Sequence, residues 1–177
     1  MTYYSMKYDS PLGKITMACD DDNLVGLWME GQKYFGGTLC NFIESPDHDI
    51  LIAGKNWLDD YFSGKRPKIS KLPLAPMGSK FRQEVWKILI EIPYGEVTTY
   101  GSIAKELCSE GKNMSSQAVG GAVGHNPISI IIPCHRVIGS NGSLTGYAGG
   151  LEAKMKLLEH EGVDISRFLI PKTGTAL

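Results

Sequence analysis

The dipeptide Cys134-His135, within residues 133–137 (PCHRV), is the strongest candidate for a reactive site in this sequence. A thiol is a strong nucleophile only as the thiolate, and a neighbouring base can take its proton at neutral pH. Cys134 is therefore the candidate nucleophile. The alternative is an unreactive buried cysteine, which is the more common role after an apolar run such as residues 128–132 (ISIII). That run predicts a short buried strand leading to the site.

Four further groups of residues surround the dipeptide. They are residues 117–123 (QAVGGAV), 125–127 (HNP), 146–150 (GYAGG) and 157–162 (LLEHEG). In this order and at this spacing they resemble the O6-alkylguanine-DNA alkyltransferases, repair proteins that accept an alkyl group once. The resemblance extends over residues 81–162, and residues 10–13 (SPLG) add a fainter match near the start.

The resemblance implies an activity and its catalytic residues. A methyl or larger alkyl group on O6 of guanine, and on O4 of thymine, would pass to the thiol of Cys134 in double-stranded DNA after the nucleotide is flipped out. Glu161 would orient His135, whose other nitrogen relays the proton through a water. Tyr100 would donate a hydrogen bond to guanine N3, and Asn126 would brace the two halves of the site. The thioether product cannot be hydrolysed, so each molecule would act once, with no cofactor and no metal ion.

The resemblance also assigns a base pocket and a DNA surface. Many family members have arginine at position 117, where it fills the space left by the flipped base, so Gln117 is expected to be a weaker wedge. Ala148 stands where serine is common, and only its backbone N–H remains for O6. The pocket residues are Tyr100, Ser129, Val137, Tyr147, Ala148 and Gly149. The DNA-binding residues are Thr99, Ser115, Ser116, Gln117, Ala118, Gly121 and Arg136.

Two other classes of protein remain as alternatives. A lesion-binding module of the alkyltransferase-like kind recognises the alkylated base without transferring the group, but such proteins lack the cysteine that this chain has at position 134. A cysteine hydrolase using Cys134, His135 and Glu161 is less favoured, because the histidine of such enzymes is usually distant in sequence from the nucleophile.

Length and composition are those of a soluble globular protein with one large domain or two small ones, and the periodicity and the resemblance favour an α+β fold in two small domains. The chain has 177 residues, of which 42% are hydrophobic, and it has no apolar stretch long enough for a membrane span and no signal-peptide pattern. We expect a cytoplasmic monomer with residues 1–75 as a structural domain and residues 76–177 as the DNA-binding and alkyl-transfer domain. The four cysteines are scattered without a CxxC pair, so Cys19, Cys40 and His48 are not expected to hold zinc.

Periodicity outlines both domains. Residues 3–8, 14–19 and 24–29 alternate as three strands of an antiparallel sheet, which the resemblance makes ribonuclease H-like, and residues 50–62 have helical spacing. Residues 65–78 contain three prolines and predict an extended linker. In the second domain, Ser79, then Thr98 or Thr99, then Ser115 or Ser116 are predicted to cap three helices. The last two would form either a helix-turn-helix or a structural α-hairpin, and the resemblance implies the helix-turn-helix.

Small residues dominate the third of these helices, which contains Gly120 and Gly121. Each glycine inside a helix costs about 1 kcal/mol relative to alanine, so another group is expected to approach closely. That group is either a neighbouring helix of the protein or the DNA backbone. The resemblance implies the second alternative, with the helix in the minor groove.

Charge limits how DNA could be bound. Residues 1–75 carry 8 basic and 10 acidic side chains, and residues 76–177 carry 10 and 9, so their net charges are −2 and +1. Neither part has the basic excess that is typical of nucleic-acid binding. Contacts with DNA are therefore expected from hydroxyls, backbone amides and helix N-termini.

Overall fold

The computed structural model describes residues 2–37, 39, 41–109, 111 and 113–172. The chain forms two compact units. The N-terminal unit comprises the residues up to Met77 together with Pro127–Ile131, and the C-terminal unit comprises Gly78–Asn126 and the chain from Ile132 onward. Residues 127–131, which the sequence-based boundary assigned to the second domain, thus pack with the first.

No helix in the described part of the chain is long and apolar enough to cross a membrane.

The N-terminal unit is a four-stranded sheet with one helix packed on it. The strand order is β3-β2-β1-β4, with β2 antiparallel to both β1 and β3 and with β4 parallel to β1. The three predicted strands and the predicted helix are confirmed, and β4 is an addition. The elements are β1 (Tyr3–Ser10), β2 (Gly13–Cys19), β3 (Leu24–Met29), β4 (Phe42–Glu44) and α1 (Asp49–Phe62).

Both faces of this sheet are covered, which explains why every residue of β3 is buried. On one face Gly54 of α1 lies close to Met17, where an added Cβ would be 3.1 Å from the Met17 sulfur. On the other face Trp28 packs against Phe42. The predicted linker is attached to this unit rather than lying between domains, because Leu24 donates to the Pro73 carbonyl at 2.8 Å and Ala75 donates to the Leu24 carbonyl at 3.0 Å.

The C-terminal unit is mainly helical. Its elements are α2 (Lys80–Ile90), β5 (Thr98–Thr99), α3 (Tyr100–Ser109), α4 (Ser116–Gly124), β6 (Val137–Ile138) and α5 (Leu151–His160). Three hydroxyls act as predicted, because Ser79, Thr99 and Ser115 each accept a hydrogen bond from the backbone N–H three residues later. Helices α3 and α4 pack together as the predicted helix-turn-helix, and β5 pairs with β6 in parallel.

The predicted strand at residues 128–132 is wrong. Ile128 alone forms a bridge, with Leu27, and residues 129–132 then turn. Ile130 has φ +70°, a backbone conformation that strains a β-branched residue. The run is apolar because the turn is buried, and burial alone does not distinguish a turn from a strand.

Candidate active site

Cys134 begins a 3₁₀ turn, Cys134–Arg136, that leads directly into β6. The dipeptide therefore lies in a turn and not in a strand. The side-chain amide of Asn126 donates to the Cys134 sulfur at 3.1 Å and to the Ile132 carbonyl at 2.8 Å. One amide thus fixes both the sulfur and the backbone just before it. These contacts agree with the bracing role expected for Asn126.

Cys134 is buried, with 3% of its surface exposed. Burial raises its pKa to about 11, although the hydrogen bond from Asn126 and the positive charge of Lys154 act in the opposite direction. The thiol is therefore protonated at neutral pH. Attack on a substrate requires a base that removes this proton during the reaction.

His135 is buried and is held by one carboxylate. Its Nε2 lies 2.7 Å from Glu161 Oε1. Burial, together with the charges of Arg136 and Lys154, lowers the pKa of His135 although Glu161 acts to raise it, so the imidazole is neutral at neutral pH. Because a carboxylate accepts the proton on Nε2, the neutral ring carries its basic lone pair on Nδ1. Nδ1 is buried, and it has no hydrogen-bond partner among the described residues.

Glu161 caps the end of α5 and is fully bonded. Its carboxylate accepts from His135, from Arg136 Nε at 2.8 Å and Arg136 Nη2 at 2.9 Å, and from the Gly95 backbone N–H at 3.2 Å. Burial acts to raise the pKa of Glu161, but the hydrogen bonds from His135 and Arg136 and the charge of Arg136 hold the pKa well below its usual range. An acid at the unfavourable end of a helix thus has partners that compensate for its position.

The contacts of Arg136 disagree with its predicted role in DNA binding. The residue is 6% exposed, and its guanidinium binds Glu161 and donates to the Ile92 carbonyl at 2.6 Å. It also lies 5.7 Å from the centre of the Tyr94 ring. A guanidinium used in this way fixes the carboxylate and is not available to a phosphate.

Lys154 is a member of the site that sequence reasoning missed. The side chain is fully buried, and its ammonium donates to the carbonyls of Val137 and Thr145. Burial lowers the pKa of Lys154 to about 8, and the neighbouring Cys134 acts in the opposite direction. A signal was present, because Lys154 precedes the apolar residues Leu157 and Leu158 by three and four positions and so lies on the inward face of α5.

Two tyrosines complete the surroundings of the thiol. The hydroxyl of Tyr100 lies 2.8 Å from the Gly146 carbonyl, and burial, with a contribution from Cys134, raises the pKa of Tyr100 above its ordinary value. Tyr147 is buried and meets His135 edge-on, with 6.4 Å between the ring centres. Ala148 and Gly149 follow in the same loop and are half-buried.

The structure thus brings the predicted catalytic residues together in the C-terminal unit. Ser129, predicted for the base pocket, lies instead in the N-terminal unit, where its hydroxyl is 3.2 Å from Gln32 Oε1. The reason is that residues 127–131 belong to that unit.

Most residues predicted to bind DNA lie around α4. Thr99, Ser115 and Ser116, with Ser102 and Ser140, line an open cavity of about 520 Å³. Gln117 is exposed, and Ala118 and Gly121 are half-buried. Beyond the adjacent residues and the backbone of α4 itself, no described atom lies within 4 Å of the position that a Cβ on Gly121 would take. Packing inside the protein therefore does not explain a glycine at position 121.

The residues weighed as a zinc site are described only in part. Cys19 Sγ lies 3.4 Å from His48 Nδ1, and Cys40 is outside the described residues. No cluster of three or more histidine, cysteine, aspartate or glutamate side chains suited to a metal ion occurs within the described ranges.

Comparison with known proteins agrees with this geometry. The family model for the ribonuclease-like domain of 6-O-methylguanine DNA methyltransferase matches residues 3–76, and the model for its DNA binding domain matches residues 80–163. A methylated-DNA–protein-cysteine methyltransferase of Shigella flexneri is 52% identical over 163 residues, which cover 88% of this chain and 94% of that protein. A protein of the same name from Methanosarcina acetivorans is 44% identical over 166 residues, covering 90% and 98%.

A solved structure is also similar. Mycobacterium tuberculosis OGT in complex with DNA superposes with a TM-score of 0.80 at 40% identity, covering 92% of this chain and 93% of that one. Both domain matches, the identities to full-length relatives and the shared fold agree, and this chain belongs to the 6-O-methylguanine DNA methyltransferase family.

Proposed function

We propose that this protein repairs O6-alkylguanine in double-stranded DNA by transferring the alkyl group irreversibly to its own Cys134. The observation that carries the proposal is the buried arrangement of Cys134, His135 and Glu161 in one unit, with Asn126 on the sulfur and Arg136 on the carboxylate. The proposed partner is duplex DNA with the alkylated guanine flipped out, and the proposed form is a cytoplasmic monomer.

The reaction begins with a proton. The thiol proton passes through a water to Nδ1 of His135, and the carboxylate of Glu161 stabilises the imidazolium that forms. The Cys134 sulfur then attacks the alkyl carbon, a new S–C bond forms, and the bond between that carbon and guanine O6 breaks. The electron pair of the broken bond remains on the guanine, and the product is a neutral thioether.

The leaving guanine needs a hydrogen-bond donor. Tyr100 is assigned this role, with its hydroxyl exchanging the Gly146 carbonyl for guanine N3 as negative charge develops on the base. The raised pKa keeps the Tyr100 hydroxyl protonated throughout, so it remains a donor.

Lys154 supplies the charge that a buried thiolate needs. With His135 neutral, the charges of Glu161, Arg136 and Lys154 leave the site with one net positive charge while Cys134 is protonated. Transfer of the thiol proton to His135 leaves this net charge unchanged, because the thiolate and the imidazolium form together. The thiolate therefore forms in a site that has a counter-ion in place before the substrate arrives.

DNA is assigned to the surface around α4. The hydroxyls of Thr99, Ser115 and Ser116 are suited to phosphate oxygens, which agrees with a nearly neutral chain that has no basic stripe. Gln117 is exposed next to them and is assigned as the wedge, with less reach than an arginine.

The proposed function has a stoichiometric test. After incubation with an excess of duplex containing O6-methylguanine, intact-protein mass analysis is expected to find one methyl group per molecule, and peptide mapping is expected to place it on Cys134. DNA binding without a methyl adduct would favour a lesion-binding module. Repeated turnover without a retained adduct would favour a hydrolase. Either result contradicts the proposal.

Gly121→Ala tests whether α4 faces DNA closely. The substitution meets open space, so it is expected to stabilise the free protein by about 0.5–1 kcal/mol, the usual gain for glycine to alanine within a helix. It is also expected to weaken binding to duplex DNA severalfold, because the added methyl group separates the helix from the backbone. Urea unfolding and a DNA titration measure the two effects.

Gly124→Ala is the matched control, because Gly124 ends the same helix and also faces open space. It should leave DNA affinity unchanged. If Gly121→Ala also leaves the affinity unchanged, close approach of DNA is not the reason for glycine at position 121.

A further inference from the structure

Two buried polar atoms of the site have no hydrogen-bond partner within the described part of the chain: His135 Nδ1 and the hydroxyl of Tyr147. Buried polar atoms in proteins are nearly always bonded, either to protein groups or to an internal water. Two such atoms on neighbouring side chains therefore indicate a shared partner. The two rings meet edge-on, with their centres 6.4 Å apart.

The chemistry of the two atoms defines that partner. Nδ1 of the neutral His135 accepts a hydrogen bond, because Nε2 carries the proton towards Glu161. The hydroxyl of Tyr147 can both donate and accept. A single water can donate to Nδ1 and also bond the hydroxyl, and it retains a lone pair for the thiol proton of Cys134.

We propose that the hydroxyl of Tyr147 is a positioning group that holds the water through which Cys134 passes its proton to His135. The inference rests on the proposed function and adds a residue to it. Before transfer, the water accepts from the thiol and donates to Nδ1. After transfer, the water accepts from Nδ1–H and donates to the thiolate, while the Tyr147 hydroxyl bonds it in both states. No atom is gained or lost in the relay.

The protonation state of Tyr147 supports this role. Burial raises the pKa of Tyr147 well above its ordinary value, and the charges of Cys134 and Glu161 act in the same direction. The hydroxyl is therefore protonated at neutral pH, where it can donate to the water. A donor on the water favours thiolate formation, because it makes the water a better donor to sulfur.

Other groups around the thiol contribute to its pH dependence and must stay constant in the test. Asn126, Lys154 and Tyr100 act on Cys134 directly, and Glu161 and Arg136 act through His135. The alternative role for Tyr147 is an apolar wall of the pocket, which a phenylalanine would serve equally well. Tyr147→Phe separates the two roles, because it removes the hydroxyl oxygen and keeps the ring and all of these groups.

The experiment follows the reactivity of Cys134 in the full-length protein. The rate of alkylation of Cys134 by iodoacetamide is measured between pH 7 and pH 12, a range that includes the midpoint near pH 11, by peptide mapping. The natural protein and Tyr147→Phe are compared, and methyl transfer from an O6-methylguanine duplex is measured in parallel at neutral pH. We expect methyl transfer by Tyr147→Phe to be about tenfold slower at neutral pH. We also expect the midpoint of its iodoacetamide profile to lie at higher pH.

Two outcomes would overturn the inference. If Tyr147→Phe has the same rates and the same iodoacetamide midpoint as the natural protein, Tyr147 is only an apolar wall of the pocket. If the variant loses rate by the same factor at every pH, the role of Tyr147 is structural. Tyr8→Phe is the control, because it deletes a hydroxyl that is bonded to Asp59 in the N-terminal unit and should leave the profile unchanged. The iodoacetamide arm uses no DNA, so a failure of methyl transfer by the natural protein would count against the proposed function without deciding the role of Tyr147.

Discussion

Cys134→Ser is expected to accept no methyl group from an O6-methylguanine duplex while binding that duplex about as well as the natural protein. Serine keeps the shape of the pocket and can still accept from Asn126, but its hydroxyl is far less acidic than a thiol and cannot form the anion that attacks carbon. Intact-protein mass analysis and a DNA titration measure the two properties. Transfer by this variant would remove Cys134 as the nucleophile.

Cys19→Ser provides a matched control within the same chain. Cys19 is also buried beside an imidazole, with 3.4 Å between its sulfur and His48 Nδ1, and burial raises its pKa to about 11 as well. The difference lies in the histidine, because His48 Nδ1 accepts from the Ile50 backbone N–H and caps α1. Methyl acceptance by Cys19→Ser should therefore equal that of the natural protein.

Glu161→Gln is expected to cost about 3 kcal/mol of stability and to slow methyl transfer. The substitution leaves the guanidinium of Arg136 buried without an opposite charge, and removing one partner of a buried ion pair is strongly destabilising. It also weakens the stabilisation of the His135 imidazolium, so the pH–rate profile should move to higher pH. Urea unfolding at neutral pH and transfer rates against pH measure these effects.

The pH dependence of stability gives a second readout. The folded-state pKa of Glu161 lies below its usual value, so its stabilisation is present above about pH 4.3 and is lost as the pH falls further. His135 also has a lowered pKa, so its contribution declines as the pH falls below about 6.5. The natural protein should therefore lose stability in acid from about pH 6.5 downward, and Glu161→Gln should lack the part of this loss that occurs below about pH 4.3.

Glu152→Gln is the control on the same helix. Glu152 forms an exposed pair with Lys156 at i,i+4, with a side chain that is 84% exposed, so its neutralisation should change neither stability nor transfer measurably. Equal stability of Glu161→Gln and the natural protein would mean that the buried network contributes nothing to folding.

Local signals in the sequence were sufficient to predict most helices and strands and the residues around Cys134. The alternating strands, the apolar face of α1 and the hydroxyl caps of α2, α3 and α4 are set by residues a few positions apart, so they could be predicted directly. The order of the motifs around Cys134 resembled one family closely enough to name His135, Glu161 and Asn126 as its partners. The structure brings these residues together.

The partners of buried charges could not be predicted from local signals. Arg136 was assigned to DNA because an arginine beside a reactive dipeptide carries no mark of burial in the sequence, and its partner Glu161 is 25 positions away. Lys154 was missed because a lysine is usually exposed, although its place on the apolar face of α5 was visible. The roles of Arg136 and Lys154 depend on which carboxylates and carbonyls the fold brings within hydrogen-bond distance of their side chains.

The sequence by itself determined the type of chemistry, the family and most helices and strands, because those depend on residue identity, order and local spacing. Tertiary structure alone decided that residues 128–132 turn, that Ser129 lies in the N-terminal unit, and that a buried Lys154 stands beside the thiol. It also decided the ionisation of the site. The pKa of Cys134, His135 and Glu161 is set by burial and by charges from distant parts of the chain, which come together only when the chain folds.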